Sequence, residues 1–210
     1  MTVKELLKEC DFSYFLKDYK ELLIKCDEVL KIDDKNPIAL NYKAIAYYYL
    51  GMYDFALNLL NKTQKLYPEN YYTLNNKALV FIALKEYEKA LECCNRGLEI
   101  EDFDWLETNK IKALLYLDRV DEAKKFYNSL ECHESTFVEL LFECNKFSEV
   151  IDYYLKNPSV LIPMDMANAL EEAELKLLAD YYNGKLKENP TDIEVIDRLK
   201  TLMVKYDLDI

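Results

Sequence analysis

The stretch Pro37 to Leu98, PIALNYKAIAYYYLGMYDFALNLLNKTQKLYPENYYTLNNKALVFIALKEYEKALECCNRGL, repeats itself at a spacing of 34 residues. Leu40, Ala44, Leu50, Tyr53, Ala56 and Leu57 return as Leu74, Ala78, Leu84, Tyr87, Ala90 and Leu91. So many matches in register mark two copies of one structural unit. Within the unit the apolar spacing is helical: Leu40, Ala44, Tyr47 and Tyr48 share one face, and Ala56, Leu57 and Leu60 share another. Each unit is therefore a pair of helices. The turn between them falls at Leu50-Gly51 and Leu84-Lys85, where Gly51 favours a helix C-terminus. Units end at Asn36-Pro37, Pro68-Glu69-Asn70 and Asn157-Pro158, since proline opens a helix but cannot continue one.

Taking Pro37 as position one, the register extends in both directions. Residues 3–36 form a diverged unit in which Leu6, Leu16 and Tyr19 match Leu40, Leu50 and Tyr53. A one-residue deletion carries Leu84, Ala90 and Cys94 onto Leu117, Ala123 and Tyr127, giving units at 71–103 and 104–133. Residues 134–157 read as a shortened pair. Residues 158–210 read as a degenerate unit followed by a capping helix from Thr191 through Met203, continuous with the array. A chain built this way is all-α and ordered almost throughout.

These residues resemble the tetratricopeptide repeat family. Small residues in the eighth and twentieth positions (Ala44 and Ala56, Ala78 and Ala90) and aromatics in the eleventh and seventeenth (Tyr47 and Tyr53, Phe81 and Tyr87) match its pattern, with Pro68 in the thirty-second. The small residues have a physical purpose, because helices approach to about 8 Å only where the crossing side chains are small. The resemblance implies a right-handed α-solenoid acting as a non-catalytic protein interaction scaffold or adaptor. Asp102, where proline is usual, and Ile111, where a small residue is usual, depart from the pattern. Family members that grip acidic chaperone tails use a lysine, asparagine and arginine clamp. The equivalent positions hold Asn41, Ile45, Asn76, Trp105 and Asn109, and only Asn76 agrees.

Composition narrows the partners. A net charge of −12 disfavours a phosphate backbone, so no nucleic-acid partner is expected. No apolar run approaches the roughly 20 residues that cross a bilayer, so no membrane partner is expected and a cytoplasmic location is. The six cysteines lack CxxC or disulfide-framework spacing and read as free thiols. Cys132 and His133 are adjacent, but a solvated loop explains them better than a nucleophile or a metal ligand. The acidic run from Glu99 to Glu107 reads as a solvated turn between units. No catalytic residue, metal or cofactor is expected.

If positions four, eight and eleven face a neighbouring helix, positions two, five, nine, twelve and thirteen of each first helix project onto the inner curve. Those positions hold Lys4, Leu7, Asp11 and Tyr14, then Asn41, Ile45, Tyr48 and Tyr49. Next come Tyr72, Asn75, Leu79 and Ile82, and finally Trp105, Thr108, Lys112 and Tyr116. The candidate site is a groove comprising Asn41, Tyr48, Tyr49, Tyr72, Asn75, Asn76, Trp105, Thr108, Asn109 and Lys112. Asn41 and Asn75 would pair with the N–H and C=O of an extended peptide, and Tyr48, Tyr72 and Trp105 would anchor it. The competing reading is that many of the 18 tyrosines simply pack between units. The expected function is binding of a peptide or partner helix. The alternatives are self-assembly into a homo-oligomer and service as the regulatory subunit of an enzyme complex.

Overall fold

The structure is a computed structural model that describes residues 1–130 and 134–156. Every regular element among the described residues is an α-helix. The first helices of successive pairs are α1 (Val3–Phe15), α3 (Pro37–Tyr49), α5 (Tyr71–Ala83), α7 (Asp104–Tyr116) and α9 (Glu134–Glu143). The second helices are α2 (Tyr19–Ile32), α4 (Tyr53–Leu66), α6 (Tyr87–Leu98), α8 (Val120–Asn128) and α10 (Phe147–Lys156). The chain divides into two compact units, 1–126 and 127–210. Asn157-Pro158, the degenerate unit, the capping helix and the Cys132-His133 pair lie outside the described residues.

Each helix pair is joined the same way. Lys17, Gly51, Lys85, Asp118 and Asn145 occupy one equivalent place in their turns, and all have positive φ, from 57° to 74°. At Gly51 the N–H reaches the Tyr48 carbonyl at 2.9 Å, and the next N–H, of Met52, reaches Tyr47 at 2.8 Å. The same two bonds recur at the other four turns, for example from Lys85 to Ile82 and from Glu86 to Phe81. This is the Schellman closure, which satisfies carbonyls a helix end would otherwise leave open.

The N-termini of α1, α2, α3 and α5 are held by side chains, whereas those of α4, α6 and α7 have no side-chain cap. Thr2 and Glu5 form a capping box on α1, and Asp18, Asn36 and Asn70 each accept from a backbone N–H in the first turn of the helix that follows. Pro37 sits in the first turn of α3, where its missing N–H costs nothing.

In the unit 1–126, consecutive helices pack against one another from α1 to α7, and the first helices also pack side by side as α1·α3, α3·α5 and α5·α7. The small-residue positions sit at the crossings: Cys10, Ala44 and Ala78 in the eighth place, and Ala56, Ala90 and Ala123 in the twentieth, are all fully buried. Ile111 also lies in an eighth place and is buried, so the fourth pair accepts the larger side chain there. Gly97 on α6 leaves room for buried Leu106 of α7: a Cβ at Gly97 would come within 2.6 Å of it.

Position seven of three successive first helices is lysine, and each is tied to a second helix. Lys43 pairs with Asp27 at 2.5 Å, Lys77 donates to Gln64 Oε1 at 2.6 Å, and Lys110 lies over the Phe126 ring at 4.1 Å. In the unit 127–210, Tyr127 packs on Phe137 with ring centroids 5.0 Å apart, and Val150 and Ile151 of α10 are buried.

Candidate functional site

Because α1, α3, α5 and α7 lie side by side, one face of each joins into a single surface. That surface encloses a cavity of about 520 Å³ over α1, α3, α5 and the start of α7. Its first wall is Leu7, Asp11 and Tyr14 on α1. Pro37, Ile38, Asn41, Tyr42, Ile45 and Tyr49 line the cavity from α3, and Asn75, Asn76 and Leu79 from α5. Asn70, Tyr72, Phe103 and Trp105 close the far side.

Of the residues expected at the site, Asn41, Tyr49, Tyr72, Asn75, Asn76 and Trp105 line this cavity. Tyr48, Thr108, Asn109 and Lys112 are not among its lining residues. Tyr48 packs against the hydrophobic clusters beneath the groove, edge-on to Tyr49 at 5.0 Å and tilted against Tyr53 at 5.7 Å. Thr108 and Lys112 are half-buried on α7, and Asn109 is buried.

The asparagines form a ladder between repeats. Asn76 Nδ2 donates to Asn41 Oδ1 at 3.2 Å, and one repeat further on Asn109 Nδ2 donates to Asn75 Oδ1 at 3.0 Å. In both rungs the sixth position of one first helix donates to the fifth position of the preceding one. Asn41 Nδ2 in turn donates to the Pro37 carbonyl at 2.9 Å. The amides therefore meet each other before they meet any ligand, as nearly buried polar groups must find partners.

Tyrosines dominate the α1 and α3 end. Tyr14 lies against Tyr42 and Tyr49 with centroids 5.7 and 6.4 Å away and planes inclined by 49° and 52°. Tyr49 also stacks on Tyr19 at 4.4 Å. Burial, with Tyr49 close by, pushes the Tyr14 phenol up to about 12. The Tyr42 hydroxyl donates to Asp11 Oδ1 at 2.5 Å. At the other end Tyr71 and Tyr72 stack at 4.3 Å, and both meet Phe103 edge-on.

Ile38, Tyr42, Pro37, Asn70 and Phe103 were not among the expected groove residues. Ile38 shares position two with Tyr72 and Trp105, so its place was readable from the repeat. Tyr42 shares position six with Asn76. Asn70 and Phe103 stand just before their helices begin, where helical periodicity carries no signal.

A family model described as tetratricopeptide repeat matches residues 71–103, the third of the units read from the spacing. The chain thus contains a tetratricopeptide repeat. Its fold is similar to that of solved members. A tetratricopeptide repeat protein from Parabacteroides merdae aligns over 96% of this chain and 84% of its own, at TM-score 0.65 and 18% identity. YrrB, described as having an unusual peptide-binding site, aligns over 93% of this chain and 90% of its own, at TM-score 0.53 and 14% identity. The tetratricopeptide repeat domain of Sgt2 from Aspergillus fumigatus aligns over 57% of this chain and 82% of its own, at TM-score 0.53 and 20% identity. No curated protein matches the chain in sequence. Among the described residues, no helix of this repeat protein is long and apolar enough to cross a membrane.

Proposed function

We propose that the chain is a non-catalytic adaptor whose groove over α1, α3, α5 and α7 binds an extended segment of a partner protein. One observation carries this reading. Ile38, Tyr49, Tyr72 and Trp105 are 51%, 44%, 49% and 61% exposed, yet all four line a single concavity. Exposed apolar and aromatic side chains gathered in a concave site mark a surface awaiting a partner, and tyrosine and tryptophan are favoured anchors there. YrrB shares the fold and has a peptide-binding site, which supports the same use of the fold here. The asparagine ladder holds neighbouring repeats in register beneath the anchors and leaves the aromatic rim to make the contacts.

The test is selection of displayed random peptides on the purified protein, followed by binding to three variants. Ile38→Glu and Trp105→Ala should each weaken the selected peptides at least about tenfold, a loss of about 1.4 kcal/mol. Phe55→Glu, at an equally exposed apolar residue of α4, should leave them unaffected. Loss with Phe55→Glu and retention with the groove variants would assign binding to another face.

A second reading, self-assembly, is favoured by α1. Its tenth position is Phe12, 63% exposed, whereas Ala46, Val80 and Ala113 in that position of α3, α5 and α7 are fully buried. Phe15 and Leu16 beside it are also exposed. Under this reading light scattering shows dimers at micromolar concentration that Phe12→Glu dissolves, and a wild-type monomer counts against it.

A further inference from the structure

We infer that the α1 and α3 end of the groove is a seat for a cationic side chain, arginine above all, of the bound segment. This inference rests on the groove being the binding surface and adds the chemistry of what it selects. Three observations meet there.

The first is charge. Among the described residues, Asp11 is the one charged side chain lining the groove, and no lysine or arginine lines it. An anionic ligand side chain would face that carboxylate in a chain of net charge −12, and a cationic one would be drawn to it.

The second is the arrangement of rings. Tyr14, Tyr42 and Tyr49 line the groove together with Asp11, and Tyr14 is inclined to both other rings by about half a right angle. Tyr19 stacks flat on one face of Tyr49, while Tyr14 meets Tyr42 and Tyr49 at an incline, which covers less of each π-face than a flat stack does. A guanidinium or ammonium group within about 6 Å of such faces is attracted by the ring quadrupoles. Arginine gains more, since its planar group also stacks on an aromatic face.

The third is positioning. The Tyr42 hydroxyl donates to Asp11 Oδ1, so the carboxylate is fastened to one of the rings while Asp11 remains exposed to solvent. The anion and the rings are thereby presented together before a ligand arrives, which lowers the ordering cost of binding.

The other end of the groove, with Tyr72, Phe103 and Trp105, carries no charge among its described lining residues. The selected segment is therefore extended, with a basic residue for the Asp11 end and apolar or aromatic residues for the rest.

The experiment uses three pools of nonapeptides, random except for a central residue set as arginine, glutamine or glutamate, applied to the whole 210-residue chain. The arginine pool should be retained about tenfold more than the glutamine pool, and the glutamate pool least. Asp11→Asn keeps an acceptor for the Tyr42 hydroxyl and should erase the arginine preference. Tyr14→Leu should reduce the preference severalfold in a protein whose circular dichroism is unaltered. Equal retention of arginine and glutamine pools, lost in Ile38→Glu, would overturn the cation seat and leave the groove reading standing. An arginine preference that survives Asp11→Asn would assign it to overall charge and overturn the seat as well. Retention indifferent to Ile38→Glu, or no retention of any pool, would overturn the groove reading and the seat together.

Discussion

Single residues show how much strain one repeated turn tolerates. Among the described residues five equivalent positions adopt the left-handed conformation, and only one of them is glycine. A side chain there costs about 1–2 kcal/mol, so Gly51→Ala should destabilise by that amount in urea unfolding. Lys85→Gly should stabilise by about 0.5–1 kcal/mol, after the extra freedom glycine gives the unfolded chain. Only Gly51 was readable as a left-handed cap, because Lys17 and Lys85 carry no such signature in their side chains and Asp118 and Asn145 carry a weak one.

The thiols give a second check at this scale. Cys10 and Cys26 are fully buried with sulfurs 3.9 Å apart; that contact and burial hold the Cys26 thiol well above its usual range. Burial pushes Cys94 up to about 12. All three should resist a thiol reagent in the native state and react only on unfolding, measured by the rate of disulfide exchange with a chromogenic reagent.

The Tyr14 phenol gives a pH dependence. Its value is raised from the ordinary 10 to about 12, so the stability it confers is complete below pH 10 and is lost as pH rises through about 12. Urea midpoints between those limits should fall less steeply in Tyr14→Phe than in wild type.

Among the elements, the ladder and the helix crossings set the spacing of the repeats. Asn109→Ala removes the donor to Asn75 Oδ1 in a buried contact and should cost about 1–3 kcal/mol. Combined with Asn75→Ala the losses should fail to add by about 0.5 kcal/mol or more, and strict additivity would deny the rung. Ala90→Leu should overpack its crossing and cost about 1–3 kcal/mol, read from the thermal midpoint. Repetition made the helix pairs, the small crossing residues and the inner faces of α1, α3, α5 and α7 legible, since each rests on position within one unit. The partners of Asn41 and Asn75 were not legible in that way. Their bonds join position six of one repeat to position five of another, and that match depends on the tilt between repeats, which no single unit encodes.

For the molecule as a whole, the same limit explains Tyr48. Position twelve packs on the hydrophobic cluster at both Tyr14 and Tyr48, but Tyr14 also lines the groove, whereas Tyr48 packs in addition against Tyr53 in a second cluster. The acidic balance was legible from composition alone. Its local meaning at Asp11 required the fold to bring Tyr42 onto that carboxylate and Tyr14 and Tyr49 into the same groove. Trp105 offers the most direct probe, as the chain's single tryptophan, 61% exposed and standing at the groove's edge. Its emission, recorded while a selected peptide is titrated to saturation, should shift to shorter wavelength in step with binding followed independently by anisotropy of a label on the peptide. Saturated anisotropy with unchanged tryptophan emission would contradict a ligand lying in the groove.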